Sequence, residues 1–380
     1  MTRLYLIRHC EAEGNLYRRA HGWYDGRITP KGARQLDALA ERFRAERFDA
    51  LYSSDLGRAA ATAGALRRGR NLTLMTDPRL REQRLGVWED RPWGNLEYES
   101  PDKMYVFNND PARWSVRGGE SYPALQERLL GCIWEIAARH EGKTVACAGH
   151  GMAIRALLAA ALGIPSAEIN DVGHGDNTAV SLLEIEGERI RVVFRNDASH
   201  LGEELSTFSR QSWWREGRSD ANNVRFVRLD PRHDGRRYLD YYEKSWQAVH
   251  GSLEGFVPEP YLYHARLHAR ANPDALVSIV RPDGSAVGIT ELDTERGRSR
   301  GLGHICLCFV EAPFRRSLLG VQLIGHAVSL FRGLGRKAVL LNVHESNAGA
   351  IRFYESCEFR AVGEREAASG GKLLVMEKAL

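Results

Sequence analysis

Apolar residues run from Leu4 to Ile7 and stop at Arg8-His9-Cys10-Glu11. A short apolar run of β-compatible residues reads as a buried strand, and the Arg-His pair puts charge at its C-terminal edge, where open α/β sheets carry their chemistry. Thr29-Pro30 supplies an N-cap and a first-turn proline, and Leu36, Leu39, Ala40 and Phe43 then recur at helical spacing. A second strand ends near Leu51-Tyr52, after which Ser53 or Ser54 can cap a helix that carries Arg58 in its first turns. Ser121 opens an amphipathic helix with Leu125, Leu129, Ile133 and Ile136 on one face. Residues 143–148 form another buried strand ending, like the first, at a histidine, in Gly149-His150-Gly151, and a helix over 152–162 follows. Strands over 180–183 and 190–195 close this part of the chain. The alternation predicts an α/β fold, a mainly parallel sheet with helices on both faces.

The stretch 206–222 is polar and irregular and reads as a linker, one that its Trp213-Trp214 pair docks on a domain. From Val224 the pattern restarts with a strand over 224–229 and a helix rich in Tyr and Trp over 236–250. A hairpin of 277–281 and 286–292 turns at Pro282-Asp283-Gly284-Ser285. A buried strand over 305–310 runs into Pro313-Phe314-Arg315-Arg316-Ser317-Leu318-Leu319-Gly320 and then into an amphipathic helix with Leu323, Ile324, Ala327, Val328 and Phe331. Strand, tight loop and helix N-terminus is a device for holding phosphates on backbone N–H groups. The expected layout is one domain over 1–205, a linker over 206–222 and an α/β mixed-sheet domain over 223–380.

Composition narrows the function classes. At 380 residues the chain exceeds one ordinary core and suits two domains. The net charge of +4 is spread along the chain, so no nucleic-acid partner is expected. The six cysteines contain no C-x-x-C pair, which argues against a disulfide framework or a zinc site, and no metal is expected. The longest apolar stretch, 152–164, is too short to span a bilayer and carries Arg155, so no membrane partner is expected. The opening residues lead straight into a strand, and a cytoplasmic protein is the expectation. Oligomeric state is not legible.

Arg8-His9-Cys10-Glu11 with Asn15, Ser53-Ser54-Asp55-Leu56-Gly57-Arg58 with Thr62-Ala63, Leu80-Arg81-Glu82, Gly118-Gly119-Glu120-Ser121 and Gly149-His150-Gly151 together resemble the histidine phosphatase superfamily, the phosphoglycerate-mutase-like fold, from about residue 3 to 202. Phosphoryl removal needs cations on the equatorial oxygens, an in-line nucleophile and an acid for the leaving oxygen. Arg8 and Arg58 can fork to phosphate oxygens, His150 adds a donor when protonated, and Asn15 is either a turn residue or a further phosphate contact. The resemblance implies that His9 becomes a phosphohistidine that water cleaves and that Glu82 is the acid, with Glu89 and Glu120 as alternatives. Cys10 stands where the family has glycine, and a thiol nucleophile there is the minor alternative. The segment between Glu82 and Gly118 is short for a mutase, which favours hydrolysis. Its Trp88, Trp93, Tyr98, Tyr105, Phe107 and Trp114 are expected to form a lid, or else to pack beneath a long loop.

The second half resembles the GNAT superfamily of N-acetyltransferases from about residue 223 to the end, on the loop 313–320 and on Asn347, Ala350, Phe353 and Tyr354 of a short helix after a strand over 339–343. The resemblance implies acetyl-CoA as cosubstrate, with Arg315, Arg316, Ser317, Leu318, Leu319 and Gly320 around its pyrophosphate. Asn347 then lies at the pantetheine or the helix start, Tyr354 protonates the departing thiolate, and the strand at Cys306-Leu307-Cys308-Phe309 offers an N–H to the thioester oxygen. Glu291 is the residue offered as base, a solvated strand-end charge being the alternative. Leu318 stands where the family has its first loop glycine, and Glu358 where a glycine usually ends the tyrosine helix, so left-handed backbone at Glu358 costs on the order of 1 kcal/mol. The resulting expectation is a bifunctional enzyme acting on one small phosphorylated substrate, an amine among the candidates. The alternative is a phosphatase whose C-terminal module binds acyl-CoA or a partner without catalysis.

Overall fold

The structure is a computed structural model that describes all residues except 216–219 and 368–369. The chain divides into two compact units, Met1–Asp220 and Ala221–Leu380.

The first unit runs β1 (Thr2–Arg8), α1 (Glu13–Leu16), α2 (Pro30–Arg42), β2 (Ala50–Ser53), α3 (Gly57–Ala65), β3 (Leu74–Thr76), α4 (Trp93–Glu99), α5 (Pro101–Asn109), α6 (Tyr122–Arg139), β4 (Thr144–Gly149), α7 (Gly151–Leu162), β5 (Val180–Glu186), β6 (Arg189–Asp197) and α8 (Gly202–Leu205). Its sheet has the order β3-β2-β4-β1-β5-β6. β3, β2, β4 and β1 are parallel neighbours, and β5 and β6 add an antiparallel hairpin at one edge. Alternation along β1 divides its side chains between two cores. Leu4 and Leu6 pack with Leu125, Leu129 and Ile133 of α6 and Leu157 of α7, while Tyr5 and Ile7 pack with Leu39 of α2, Phe43 at its end and Ala63 of α3. Burying a side chain such as Leu4 contributes about 1.5–3 kcal/mol, and a slip of one residue would send each set into the core shaped for the other.

The segment after Glu82 is a packed subdomain. Trp88, Phe107 and Trp114 bury against Ala20, Leu85 and Leu96, with Trp93 stacked on Phe107. Only Tyr98 and Tyr105 of the expected lid are exposed; Trp88, Phe107 and Trp114 are buried and hold the segment together, and Trp93 is half-buried against them. Residues 206–215 dock on the first unit. Thr207 Oγ1 donates to Glu11 at 3.0 Å, and Trp214 stacks on the buried Phe208 at 5.0 Å.

The second unit runs β7 (Arg225–Arg228), α9 (Gly235–His250), α10 (Pro258–Ala271), β8 (Leu276–Val280), β9 (Ala286–Asp293), β10 (Leu302–Val310), α11 (Leu319–Gly333), β11 (Ala338–His344), α12 (Ala348–Ser356), β12 (Arg360–Glu366) and β13 (Lys372–Ala379). The sheet order is β12-β13-β11-β10-β9-β8-β7, and β10–β11 is its parallel pair. Tyr238 and Tyr241 of α9 and Ala265 of α10 cover Leu276, Ile289, Leu307 and Phe309. Leu319 and Leu323 of α11 cover Val224, Ile279 and Val287. Among the described residues no single helix is long and apolar enough to cross a membrane.

Gly303 on β10 faces α11 so closely that a Cβ there would lie 2.3 Å from the fully buried ring of Phe331. Gly303→Ala is expected to lower the stability of the second unit by about 1–3 kcal/mol through overpacking. Urea unfolding should display this as an earlier transition for that unit, with the first unit's transition unchanged.

Candidate active sites

β1 and β4 run in parallel register with Arg8 opposite Gly149, so the next residues of both strands, His9 and His150, emerge side by side with ring centroids 5.3 Å apart. Both imidazoles are buried. His9 Nδ1 lies 2.7 Å from the carbonyl oxygen of Cys10. A carbonyl only accepts, so Nδ1 carries the proton and Nε2 keeps a free lone pair. The Asn177 amide donates to the His9 carbonyl at 2.9 Å and braces the backbone from the loop before β5.

Arg58, in the first turn of α3, donates to the carbonyls of Tyr24 at 2.9 Å and Gly22 at 2.7 Å and to Asp25 at 3.3 Å. The loop that offers these carbonyls is itself held by the Glu89 carboxylate, which accepts from the N–H groups of Gly22, Trp23 and Tyr24. Glu120 pairs through both oxygens with Arg128, at 2.6 and 2.8 Å. Glu82 differs from both. Its carboxylate accepts from the N–H groups of Met152 at 3.0 Å and Ala153 at 2.9 Å, in the first turn of the helix that begins directly after His150. Geometry thus separates three glutamates that sequence left as alternatives, and the one beside His150 is Glu82.

The pocket contains a third imidazole that sequence reasoning missed. His21 sits edge-on to His9 with centroids 5.5 Å apart, and Gly14 makes room for it, since a Cβ there would lie 2.4 Å from its ring. Its signal in the sequence was a histidine inside the Gly-, Tyr- and Arg-rich loop after β1. Arg8 Nε, Arg58 Nε, His21 Nδ1 and both ring nitrogens of His150 are buried without a hydrogen-bond partner. Buried donors left unpaired cost about 1–3 kcal/mol each, and an anion that accepts from them removes that cost. Burial, followed by the charge of Arg58, pushes His9, His21 and His150 well below the ordinary imidazole range, so all three are neutral at neutral pH. A phosphate dianion would oppose that shift at His150.

Asn15 serves a turn, its side-chain oxygen accepting from the Ala12 N–H at 3.1 Å and from the Asn177 amide at 3.4 Å. The Cys10 thiol is fully buried beside Thr62 and is pushed up to about 11 by burial, which removes it as a nucleophile. Residues 207–214 add a wall. The Arg8 guanidinium lies 5.8 Å over the Phe208 ring, Gln211 donates to the Asn15 carbonyl at 3.2 Å, and Trp213 packs edge-on to His174 at 5.2 Å.

In the second unit β10 and β11 pair only from Leu302–Ala338 to Ile305–Leu341, although β10 runs on to Val310 and β11 to His344. A bulge between Ile305 and Leu307 marks where they part. Tyr354 of α12 is 9% exposed, and burial, with Cys308 of β10 and Cys357 near, holds its hydroxyl well above the ordinary phenol range, so it keeps its proton. α11 starts without a side-chain cap, leaving its first N–H groups to an anion. A slot between parted strands, an uncapped helix N-terminus and a protonated tyrosine fit acetyl-CoA, which would supply an activated acetyl group.

Individual loop residues depart from their expected roles. Arg315 Nε donates to the Val310 carbonyl at 2.9 Å and its guanidinium lies 5.3 Å over Phe309, so it braces β10. Ser317 Oγ turns back to the Phe314 carbonyl. Arg316 and Leu318 both adopt left-handed backbone, at φ 64° and 65°. Leu319 is a core residue, and Gly320 allows Phe353 to approach, a Cβ there lying 2.9 Å from its ring. Asn347, by contrast, takes the helix-start place expected as one of its two alternatives, capping α12 by accepting from the Ala350 N–H at 3.1 Å. Glu291 is buried and both its oxygens are taken, by Tyr238 Oη at 2.9 Å and His268 Nδ1 at 2.8 Å. His268 lies on α10, a helix the sequence reading did not foresee.

Residues 4–198 match the histidine phosphatase superfamily (branch 1), and residues 226–359 match the acetyltransferase (GNAT) family. The chain belongs to the histidine phosphatase superfamily and carries a GNAT domain after it. It is 30% identical over 203 residues to phosphoserine phosphatase 1 of Hydrogenobacter thermophilus, covering 53% of this chain and 96% of that one. It is 37% identical over 168 residues to the probable phosphoglycerate mutase GpmB of Yersinia pestis, covering 44% and 77%. Among solved structures, YhfR of Bacillus stearothermophilus superposes with a TM-score of 0.51 at 34% identity, covering 53% of this chain and 99% of that one.

The three pocket histidines, with His140, His174 and His200 of the same unit, which burial also depresses, set a pH dependence. In the unfolded chain they bind protons near 6.5, whereas in the folded unit they do so only at lower pH. Their stabilising contribution is therefore complete above pH 6.5 and falls as pH drops below it, by up to about 1.4 kcal/mol per pH unit for each imidazole. Urea unfolding between pH 7.5 and 5.5 should reveal this loss in the first unit, and His21→Gln should reduce the slope by about one proton.

Proposed function

We propose that the chain is a bifunctional enzyme in which the first unit hydrolyses phosphomonoesters through a phosphohistidine on His9 and the second transfers acetyl from acetyl-CoA to an amine. The observation that carries the first half is the set of buried, unpartnered donors from Arg8, Arg58, His21 and His150 around a histidine whose Nε2 is free. In this reading the guanidinium groups and His150 hold the phosphoryl oxygens. His9 Nε2 forms the P–N bond as the ester P–O bond breaks, and the leaving oxygen takes a proton from Glu82. Water then attacks phosphorus, returns a proton to Glu82 and frees His9. The charge is carried by protein groups, and the scheme calls for no metal.

Hydrolysis is favoured over phosphoryl transfer between substrates because the segment after Glu82 is short and packed on itself. The substrate class is a small phosphorylated amine or its dephosphorylated product, shared by both units. Fusion motivates this idea, and the name of the relative phosphoserine phosphatase 1 supports it, since phosphoserine bears both a phosphomonoester and an amine. Six free cysteines suit action in the reducing cytoplasm.

A screen of phosphorylated amines, with phosphate and free thiol followed together in the presence and absence of acetyl-CoA, tests the assignment. His9→Ala should lower phosphate release by at least about 10³-fold and leave thiol release intact. Tyr354→Phe should lower thiol release roughly 10-fold or more with phosphate release unchanged. Phosphate release that survives in His9→Ala would refute the first activity. Absence of acetyl-CoA-dependent thiol release would favour a binding module in the second unit.

A further inference from the structure

Arg8 has fewer fixed partners than Arg58. Its guanidinium makes one hydrogen bond among the described residues, from Nη1 to the Gly175 carbonyl at 2.6 Å, and its Nε is buried without a partner. Two weaker influences complete its surroundings. Its Cζ lies 5.8 Å over the face of Phe208, a cation–π contact. Burial disfavours the charged guanidinium, and Asp176, ahead of Glu82, is the carboxylate that opposes this. Phe208 is part of the docked stretch that follows the first unit's last strand, and Asp176 is bound to that stretch.

Asp176 stands between the residues that hold the catalytic pair. Gly175 before it accepts from Arg8, and Asn177 after it donates to the His9 carbonyl. The Thr178 N–H adds bonds to the carbonyls of Arg8 at 3.1 Å and His9 at 3.3 Å. The Asp176 carboxylate faces the docked stretch, accepting from Ser206 Oγ at 2.6 Å and from the N–H groups of Thr207 at 3.3 Å and Phe208 at 3.4 Å. Its other donor is the Asn177 N–H at 2.7 Å, and among the described residues it forms no ion pair. A buried carboxylate without a cation depends on such donors. The same stretch grips the chain after His9, because Thr207 Oγ1 donates to Glu11 and Gln35 Nε2 donates to the Leu205 carbonyl at 2.8 Å. Phe208 is itself fixed: Trp214 stacks on it with the rings 14° from parallel, and Trp214 Nε1 donates to the Gln211 carbonyl at 2.8 Å, closing the turn between them. A tether that only spaced two domains would need neither a buried ring nor a buried carboxylate to receive it.

We propose that residues 206–214 are a strap that sets the position of Arg8 for the phosphoryl group, through Phe208 on the guanidinium face and through Asp176 on the loop that holds it. Phe208 and Asp176 are positioning residues, and Arg8 is the group that meets phosphate. The inference rests on the phosphatase reading of the first unit and adds that its activity depends on residues beyond the matched domain.

Hydrolysis of p-nitrophenyl phosphate by the full chain tests the strap, with urea unfolding to verify that each variant is folded under assay conditions. Phe208→Leu keeps an apolar filling but removes the ring face, and should raise KM and lower kcat/KM by about fivefold or more. Trp214→Leu, at a half-buried position, removes the support of Phe208 and should act in the same direction, which keeps the test available if Phe208→Leu does not fold. Asp176→Asn turns an N–H toward the strap's own donors and should also lower kcat/KM. Each of these losses should shrink to less than about twofold once Arg8→Ala has removed the guanidinium. A strap that only stabilised the fold would lower the urea midpoint and leave kcat/KM of the folded protein unchanged, as Ile133→Val in the α6 core should. Unchanged kcat/KM in Phe208→Leu and Trp214→Leu, or losses that persist undiminished beside Arg8→Ala, would overturn the proposal. If the wild type releases no phosphate from any phosphomonoester, the phosphatase reading fails, and the strap is then read from calorimetric binding of inorganic phosphate: weaker binding in Phe208→Leu supports it and equal binding refutes it.

Discussion

The first unit depends on one constraint, the parallel pairing of β1 with β4 in a register that ends both strands together. Two histidines that are far apart in sequence become neighbours only because Arg8 lies opposite Gly149. That register is held by side chains on both faces of β1, Leu4 and Leu6 toward α6 and α7, Tyr5 and Ile7 toward α2 and α3. A slip of one residue would reverse the faces and separate the imidazoles. The rest of the pocket is attached to this pair, since α7 begins at His150 and its first N–H groups fix Glu82. Glu89 holds the loop whose carbonyls hold Arg58, so a carboxylate sets the position of a guanidinium through the backbone between them.

The second unit builds its slot differently. A bulge parts two strands that would otherwise pair to their ends, and unpaired backbone groups become available between sheet strands rather than at their tips. Left-handed backbone at Arg316, Leu318 and Glu358 accompanies it, each a residue with a Cβ, at about 1 kcal/mol apiece. Glu358 offsets part of this through its ion pair with Lys378 at 3.0 Å.

The inner strands of both sheets, most helices and the meeting of His9 with His150 were legible because strand-end histidines and apolar periodicity are local signals, whereas β3, β12 and β13 were not read. The three glutamates were not separable, because Glu82, Glu89 and Glu120 all sit in polar loops and differ only in which distant N–H groups or guanidinium they meet. The choice between an aromatic lid and packing beneath a loop stayed open for the same reason, since Trp88 and Trp114 look alike in sequence whether they pack on each other or on a ligand. Arg315 occupies the expected loop yet braces a strand, and Asn347 takes the helix start rather than the pantetheine, distinctions that only coordinates reveal. His268 escaped notice because α10 has a weakly amphipathic sequence, with a single buried residue, Ala265.

The docked stretch 207–214 has a consequence for where the chain can be divided. The match to the phosphatase family ends at residue 198, but Phe208, Gln211 and Trp213 reach Arg8, Asn15 and His174 from beyond that point. The segment after the matched domain thus contributes residues to the pocket rather than serving only as a tether, so a first unit cut at residue 198 would lose that wall and one cut after Trp214 would keep it.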